Sequence, residues 1–414
     1  MKAINANKTK ILNDPIYGFT NISDDLIFNL IEHPYFQRLR RISQLGLTYL
    51  VYPGAYHTRF HHALGAMHLM QKAISTLKSK GHEITSEEEQ AVLIAILLHD
   101  VGHGPFSHAL EHSIVSGINH ENISMLIMDK LNEEFKGKLS LAIKIFRNKY
   151  PKAFLYQLIS SQLDVDRLDY LKRDSFYSGV SEGIINADRI ISMLNISNGN
   201  LVVDAKAVYS IEKFIIARRL MYWQVYLHKT VLSAEFSLVE ALKRAKTLVK
   251  NNIEIFSTSA LREFLQNNHS LENFNTNPKL LGFFCQLDDI DIMSSIKEWT
   301  QHPDTVLSVL SKNIIERKLL KIELQDNKFD TSYINKIKHK AAKIYGIDSE
   351  NCSHLVFTNQ IDNKAYNPKK DKINLLYKDG RIMDIAEAAD QLNISVLGQT
   401  VTKHFLCYPK DCFI

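Results

Sequence analysis

Residues 91–108 read AVLIAILLHDVGHGPFSH, and this block limits what the chain can become. Ala91–Leu98 is apolar throughout, so a helix built from it has no polar face and belongs inside the protein. Thr85 and Glu88 supply a capping box for its start. The helix runs into His99-Asp100 and breaks at Gly102 and Gly104-Pro105, and His103 and His108 follow at once. An imidazole and a carboxylate side by side at the end of a buried helix can share a metal ion. A helix end also leaves room for ligands from other segments. An isolated His-Asp pair is usually only hydrogen-bonded, so the neighbouring segments decide its meaning.

Those segments read mainly as helices. Lys10 to Gly18 predicts a short strand and a turn at Asp14-Pro15, and Ser23-Asp24-Asp25 can cap a helix through Leu26, Ile27, Leu30 and Ile31. Pro34 opens a basic helix expected to end at Gly46, where a solvated face is the plain reading of Arg38, Arg40 and Arg41 and a functional role is the alternative of equal weight. Residues 48–60 read as extended, with a turn at Pro53-Gly54. A helix follows from about Arg59 to Lys80, with His61 and His62 in its first turn. Further helices are expected over 119–135 and 138–148. Pro151 opens another that carries LDVDRLDYLKRD, where Asp166, Tyr170 and Asp174 share one face while Leu163, Leu168 and Leu171 turn to the core. Asn198-Gly199 is a type I′ hairpin signal. One long helix from about Ala207 to Lys250 would align Arg218, Tyr222 and Tyr226. Residues 267–278 read as a polar loop, and helices return near 279–299, 303–312 and 331–345, with Ile314–Leu324 ambiguous. From Asn351 strands dominate, with a short helix at AEAADQL.

A chain of 414 residues can bury a large core and has room for two or three domains. Its formal charge of +5 suits polyanionic small ligands and makes nucleic acid an unlikely partner. Cys285, Cys352, Cys407 and Cys412 have neither metal-ligand nor disulfide-framework spacing and read as reduced thiols. MKAINANKTK has no apolar signal-peptide core, and Ala91–Leu98 is too short to span a bilayer, so a cytoplasmic protein with no membrane partner is expected.

HDVGHGPFSH, with TRFHHALG before it and DVDRLDYLKRD after it, resembles the HD-domain phosphohydrolases, above all the branch that cleaves deoxynucleoside triphosphates (dNTPs). The likeness runs from about Lys10 to the end of the sequence and is dense to about Lys229. It implies a mainly α fold: an HD-domain helical core with an N-terminal regulatory segment (1–250), a helical extension (251–346) and a small α+β C-terminal region (347–414). It also implies that His62, His99, Asp100 and Asp166 hold one divalent metal. Of the adjacent His61 and His62 the family pattern selects the second, and of Asp164, Asp166 and Asp169 the middle one. Two imidazoles and two carboxylates suit manganese, iron or zinc, or magnesium if water completes the shell.

The resemblance further points to His108 as general acid, oriented by Glu111, with His103 and His120 assisting. The competing reading for His103 and His120 is phosphate-side hydrogen bonding without proton transfer. Triphosphate carries about four negative charges near neutral pH and needs cations that do not titrate. Arg59, Arg167 and Arg218, with Tyr170, match the family's phosphate grip; the plain alternative for Arg218 is a helix-surface arginine interchangeable with Arg219. Tyr226 resembles a wall at C2′, Gln44 and Asp174 partners of the 3′-hydroxyl, and Leu45 a neighbour of the base. Lys10, Ile11, Glu32, Gln37 and Arg40 match a regulatory guanine site of the mammalian relative, and Arg317 and Lys321 the basic pair that reaches it from another subunit. A dNTP or GTP activator and a homo-tetramer are thereby implied. KAVYSIEK departs from the family by lacking the arginine-lysine run of a second regulatory site.

The leading expectation is hydrolysis of a dNTP, with dGTP favoured by family habit, to deoxynucleoside and inorganic triphosphate. Another HD-type phosphohydrolase, a nucleotidase or a nucleotide second-messenger hydrolase, would keep the metal quartet without the phosphate grip or the Tyr226 wall. A regulatory nucleic-acid binder with a degenerate site would have lost a ligand, and all four are present.

Overall fold

A computed structural model describes residues 10–107, 110, 117–363, 366–367, 372–389 and 400–413. The fold is mainly helical, with a helical core and a smaller α+β region towards the C-terminus. Its centre is the Ser86–Leu98 helix, whose residues from Ala91 to Leu98 are all buried. The capping box forms as expected: Thr85 Oγ1 accepts from Glu88 N (3.2 Å), and Glu88 Oε2 accepts from Thr85 N (2.9 Å). Glu88 is itself buried, and Lys152 Nζ and Tyr150 OH satisfy its carboxylate at 2.8 and 2.7 Å. The first turn of the central helix is thus tied to the chain that leads into the next layer.

Two further helices carry the rest of the site. Arg59–Ser79 packs against the central helix on one side and against Val165–Ser178 on the other. The second contact is close because Gly65 has no side chain: a Cβ there would lie 2.0 Å from Arg173 Nη2 and 2.1 Å from Asp169 Oδ1. Gly102 plays the same part behind the His99-Asp100 turn, where a Cβ would lie 2.3 Å from both His120 O and Ser124 N. Ser124 then fastens the turn, accepting from Gly102 N (2.9 Å) and donating to His99 O (2.8 Å).

Strands tie distant parts of the chain together. Lys10–Asp14 pairs with Gly18–Ile22, and Leu194–Ser197 with Asn200–Asp204 across the Asn198-Gly199 turn, whose φ values of 51° and 75° are those of a type I′ hairpin. Asn374–Leu376 joins that hairpin in parallel beside Asn200–Asp204, and Ile382–Asp384 completes the sheet. Lys321–Gln325, Val401–Tyr408 and Phe357–Asn363 form an antiparallel sheet in that order. The four cysteines are free and buried. No helix among the described residues is long and apolar enough to cross a membrane.

Several local expectations are corrected. The basic helix after Pro34 is one turn, Pro34–Gln37, tightening into a 3₁₀ turn over Arg38–Arg41. Arg38 is wholly buried rather than solvated, donating to Leu287 O (2.8 Å), Val101 O (3.3 Å) and His103 O (2.6 Å). Only Arg40 and Arg41 of that run reach solvent. Residues 48–50 form a 3₁₀ turn instead of extended chain. The helix after Pro151 is two, Ala153–Ile159 and Val165–Ser178, because Asp164 caps the second through Arg167 N (2.8 Å). The long helix after Ala207 is interrupted at Tyr222–Tyr226 by a π-turn, closed by Leu227 N to Tyr222 O (2.7 Å), before Lys229–Lys250 resumes. The polar stretch 267–278 contains a capped helix, Leu271–Thr276, and Lys321–Gln325 resolves the ambiguous segment as a strand.

Candidate active site

His62 sits in the first turn of the Arg59–Ser79 helix, His99 at the end of the central helix, and Asp166 in the first turn of Val165–Ser178. Packing those three helices brings one donor atom from each within 4.8 Å of the others. His62 Nε2 lies 3.0 Å from Asp166 Oδ1 without the alignment of a hydrogen bond, and His99 Nε2 lies 3.6 Å from the same oxygen. Asp100 stands beside them, its Oδ1 3.4 Å from His99 Nε2 and its Oδ2 3.7 Å from His62 Nε2.

The other nitrogen of each ring is already engaged. His62 Nδ1–H donates to Asp169 Oδ2 (2.8 Å), and His99 Nδ1–H donates to Ile96 O (2.6 Å). Each bond fixes a proton on Nδ1 and leaves Nε2 buried with no hydrogen-bond partner among the described residues. A buried polar atom left without a partner is costly unless a ligand uses it. Two such nitrogens facing two carboxylates form a donor set that fits one divalent cation.

The charges around these rings favour a cation at this place, whether a proton or a metal ion. Burial disfavours charge on the His62 ring, but its close approach to Asp166, its hydrogen bond to Asp169 and the charges of both carboxylates overcome this and raise its pKa to about 10, so a metal ion that binds Nε2 displaces a proton from it. His99 is raised as well: burial opposes it, and Asp100 and Asp166 outweigh that. Burial works against ionised carboxylates, yet His62 and His99 hold Asp166 far below the usual range, and His99, His103 and Arg59 do the same for Asp100. Such carboxylates favour a cation between them.

Asp169, weighed above as an alternative ligand, lies one layer back. It takes a bidentate pair from Arg173, Nε to Oδ2 at 2.9 Å and Nη2 to Oδ1 at 3.0 Å, and Arg173 Nη1 reaches Asp14 Oδ2 at 2.9 Å. Burial opposes its ionisation, but Arg173 and His62 prevail and hold Asp169 down to about 2. The sequence did carry a signal for this support, an Asp and an Arg four apart on one helix, but nothing local marks the pair as buried. His61 turns away: its Nδ1 lies 3.0 Å from Thr58 Oγ1 and accepts from Thr58 N (3.2 Å), closing its own helix cap.

Arg59 is buried, paired with Asp100 Oδ2 and donating from Nε to Ser107 Oγ (2.8 Å). His103 stacks on His120 with centroids 3.8 Å apart, and its Nδ1 lies 3.5 Å from Asp100 Oδ1. His108 and Glu111 lie outside the described residues. Arg167 pairs with Asp164, whose carboxyl is pushed up to about 6 by burial against the pull of that guanidinium. Arg167 Nε and Arg218 Nε are both buried without a hydrogen-bond partner among the described residues, which leaves each able to donate to an anion.

Farther along the Val165–Ser178 helix, Tyr170 packs edge-on to Tyr226 at 6.3 Å. Tyr226 OH donates to Asp174 Oδ2 (2.7 Å); burial and the Asp174 charge keep the phenol well above its ordinary pKa, so it remains a donor. Within the π-turn the Tyr226 ring stands edge-on to Tyr222, at 5.2 Å and 89°. Gln44 is buried with Oε1 unpartnered, and the neighbouring Leu45 is half-buried against the core.

The residues matched to a regulatory site make contacts of their own. Lys10 covers the Phe28 ring at 2.9 Å, and Ile11 is 59% exposed. Glu32 is exposed, Gln37 Oε1 accepts from Arg40 Nε (2.8 Å), and Arg40 lies 3.6 Å over Phe60. Arg317 Nε donates to Leu50 O (2.7 Å), and Lys321 covers Phe413.

Known proteins resemble this chain in sequence and fold. Residues 59–174 match the HD domain and residues 185–270 the HD associated region. A phosphohydrolase from Bacteroides thetaiotaomicron, solved as a crystal structure, is 50% identical, covers 97% of this chain and all of its own, and superimposes with a TM-score of 0.94. An uncharacterized Bacillus subtilis protein, YwfO, is 31% identical over 98% of this chain and 93% of its own length. A deoxynucleoside triphosphate triphosphohydrolase SAMHD1 homolog of Dictyostelium discoideum is 33% identical over 58% of this chain and 50% of its own length. The chain therefore belongs to the HD-domain phosphohydrolases, in the family that includes the dNTP triphosphohydrolases.

Proposed function

We propose that the protein hydrolyses a dNTP to deoxynucleoside and inorganic triphosphate, using one divalent cation held by His62, His99, Asp100 and Asp166. The observation that carries metal-dependent hydrolysis is the pair of buried Nε2 atoms facing Asp166 and Asp100, each ring fixed by a bond at Nδ1; the dNTP is supported by the buried Arg167 and Arg218 Nε atoms without a partner among the described residues and by the similarity to the SAMHD1 homolog. A cation there supplies hydroxide near neutral pH and draws charge from phosphorus. Manganese, iron, zinc and magnesium all suit the donors.

The chain's own residues do the rest. Asp169 and the Ile96 carbonyl hold the two rings in place. Arg59, Arg167 and Arg218, with Tyr170, grip the phosphates and neutralise them with charges that do not titrate. Gln44 and Asp174 take the 3′-hydroxyl, Leu45 lies against the base, and Tyr226, anchored on Asp174, closes the space beside C2′. His108, oriented by Glu111, protonates the departing 5′-oxygen while His103 and His120 support it. A panel of the four dNTPs, singly and in pairs, with chromatography of the products, tests the reading. Triphosphate and nucleoside support it, and monophosphate favours another phosphohydrolase. dGTP is the favoured substrate, and free nucleotides place the reaction in the cytoplasm.

Three results follow. With any required activator present, dGTP is cleaved far faster than GTP, because Tyr226 crowds C2′; equal turnover removes the reason to assign Tyr226 to the sugar. His108→Ala lowers turnover by roughly a hundredfold while bound metal, measured by elemental analysis, stays constant. Near-normal turnover transfers the proton to His120 or water. A dNTP or GTP held by Lys10, Ile11, Glu32, Gln37 and Arg40, and touched by Arg317 and Lys321 of another subunit, would favour a homo-tetramer by binding across its interface. One nucleotide then stimulates cleavage of another, and Arg40→Ala abolishes the stimulation but not metal binding. Full rates with each nucleotide alone, and a mass that ignores nucleotide, make the enzyme constitutive.

A further inference from the structure

His57 has no part in the chemistry described so far, yet it touches both residues assigned to the 3′-hydroxyl. The side chain is fully buried, and its Nε2–H donates to Asp174 Oδ1 (2.7 Å). Its backbone carbonyl accepts from Gln44 N (3.0 Å). The second contact belongs to a short antiparallel bridge, Ser43 opposite Thr58, whose other bond runs from Arg59 N to Ile42 O (2.9 Å). One residue therefore fixes Gln44 through the main chain and Asp174 through the ring, two positions before Arg59.

The ring is itself locked. It stacks on Tyr177 with centroids 4.5 Å apart and planes 17° from parallel. That stack depends on the Pro53-Gly54 turn lying hard against the end of the Val165–Ser178 helix, where a Cβ on Gly54 would come within 2.5 Å of Tyr177 O. Asp174 then has both oxygens assigned: Oδ1 to His57, Oδ2 to the Tyr226 hydroxyl. A carboxylate oxygen accepts more than one bond, so Oδ2 keeps a lone pair beside the tyrosine ring that closes the sugar pocket. Without the His57 bond the carboxylate is held on one side alone, by the Tyr226 hydroxyl, and can pivot about that bond and shift the lone pair it offers to a sugar.

We infer that His57 is the positioning residue that sets the demand for a 3′-hydroxyl, by holding the Asp174 carboxylate with Oδ2 shared between Tyr226 and the sugar. The inference rests on the dNTP reading above. Its ligand chemistry is specific: nucleoside triphosphates with a free 3′-hydroxyl are taken, and 3′-deoxy analogues are refused. A site built to hydrogen-bond a substrate hydroxyl discriminates strongly against the analogue without it, because its own buried polar group is left unpaired.

The test compares kcat/KM for dGTP and 2′,3′-dideoxy-GTP, with metal content and melting temperature followed in parallel. The wild-type protein prefers dGTP by roughly a hundredfold or more. His57→Phe, which fills the space but donates nothing, lowers that ratio by about tenfold, the effect of one buried hydrogen bond, and the loss falls on dGTP. His57→Gln, whose amide reaches as far as Nε2, restores most of it. His57→Asn, too short to reach Asp174, repeats the loss should the Phe variant fold poorly. An unchanged ratio in the Phe and Asn variants overturns the inference, and so does an equal fall for both nucleotides, which marks a merely structural residue. Wild-type turnover without a 3′-hydroxyl preference overturns it while leaving the dNTP reading standing; no wild-type turnover of either nucleotide overturns both.

Discussion

Asp166→Ala purifies with little divalent metal and hydrolyses no nucleotide above background, while keeping its fold. Asp166 Oδ1 is the oxygen that lies near both bare imidazole nitrogens, 3.0 Å from His62 and 3.6 Å from His99. Removing it takes away one of two charges that balance a divalent ion and leaves Asp100, which is already shared with Arg59. The fold survives because the buried supports are elsewhere: His62 stays on Asp169, and Asp164 still caps the helix. Asp166→Asn separates charge from shape, since it keeps the size of the side chain and also loses metal. Elemental analysis beside a melting curve decides the matter. Full metal content with unchanged activity in the Ala variant contradicts the ligand set.

The largest loss of stability is expected one layer behind the metal. Arg173→Ala strands the Asp169 carboxylate, which is wholly buried and draws its bidentate pair from that guanidinium. Breaking a buried ion pair from one side costs about 3–5 kcal/mol, because the remaining charge has neither water nor partner. The Arg173 bond to Asp14 goes as well, which releases the Lys10–Asp14 strand from the helix. Asp169 then takes up a proton or turns away, and His62 loses the partner that fixes its Nδ1 proton. Metal affinity should fall by roughly 10–100-fold, the usual effect of losing outer support for a ligating histidine. Denaturant midpoints and metal titration read the two effects separately. A variant as stable as the wild type with unaltered metal affinity would show that the Asp169–Arg173 pair supports neither.

What the sequence made legible and what it hid divide along physical lines. The apolar run Ala91–Leu98, the Thr85–Glu88 capping box and the Asn198-Gly199 turn are local signals, and each forms as read. Arg38 was illegible because a basic run looks the same whether it faces water or three main-chain carbonyls, and those come from Val101, His103 and Leu287, far along the chain. The break between Ile159 and Val165 was missed because apolar periodicity runs on through it, and only the Asp164 cap marks the restart. The π-turn at Tyr222–Tyr226 leaves no compositional trace, yet Tyr226 lies in it, and such turns favour functional sites. His57 fell in a stretch expected to be extended, and its importance comes from partners more than a hundred residues away.

The most direct measurement is turnover of dGTP in water enriched in oxygen-18, with the products separated and weighed. If residues around His62, His99, Asp100 and Asp166 direct water at the α-phosphorus, the label appears once in inorganic triphosphate and the deoxyguanosine carries none. Label in the nucleoside, or deoxyguanosine monophosphate with pyrophosphate in place of triphosphate, would contradict the account.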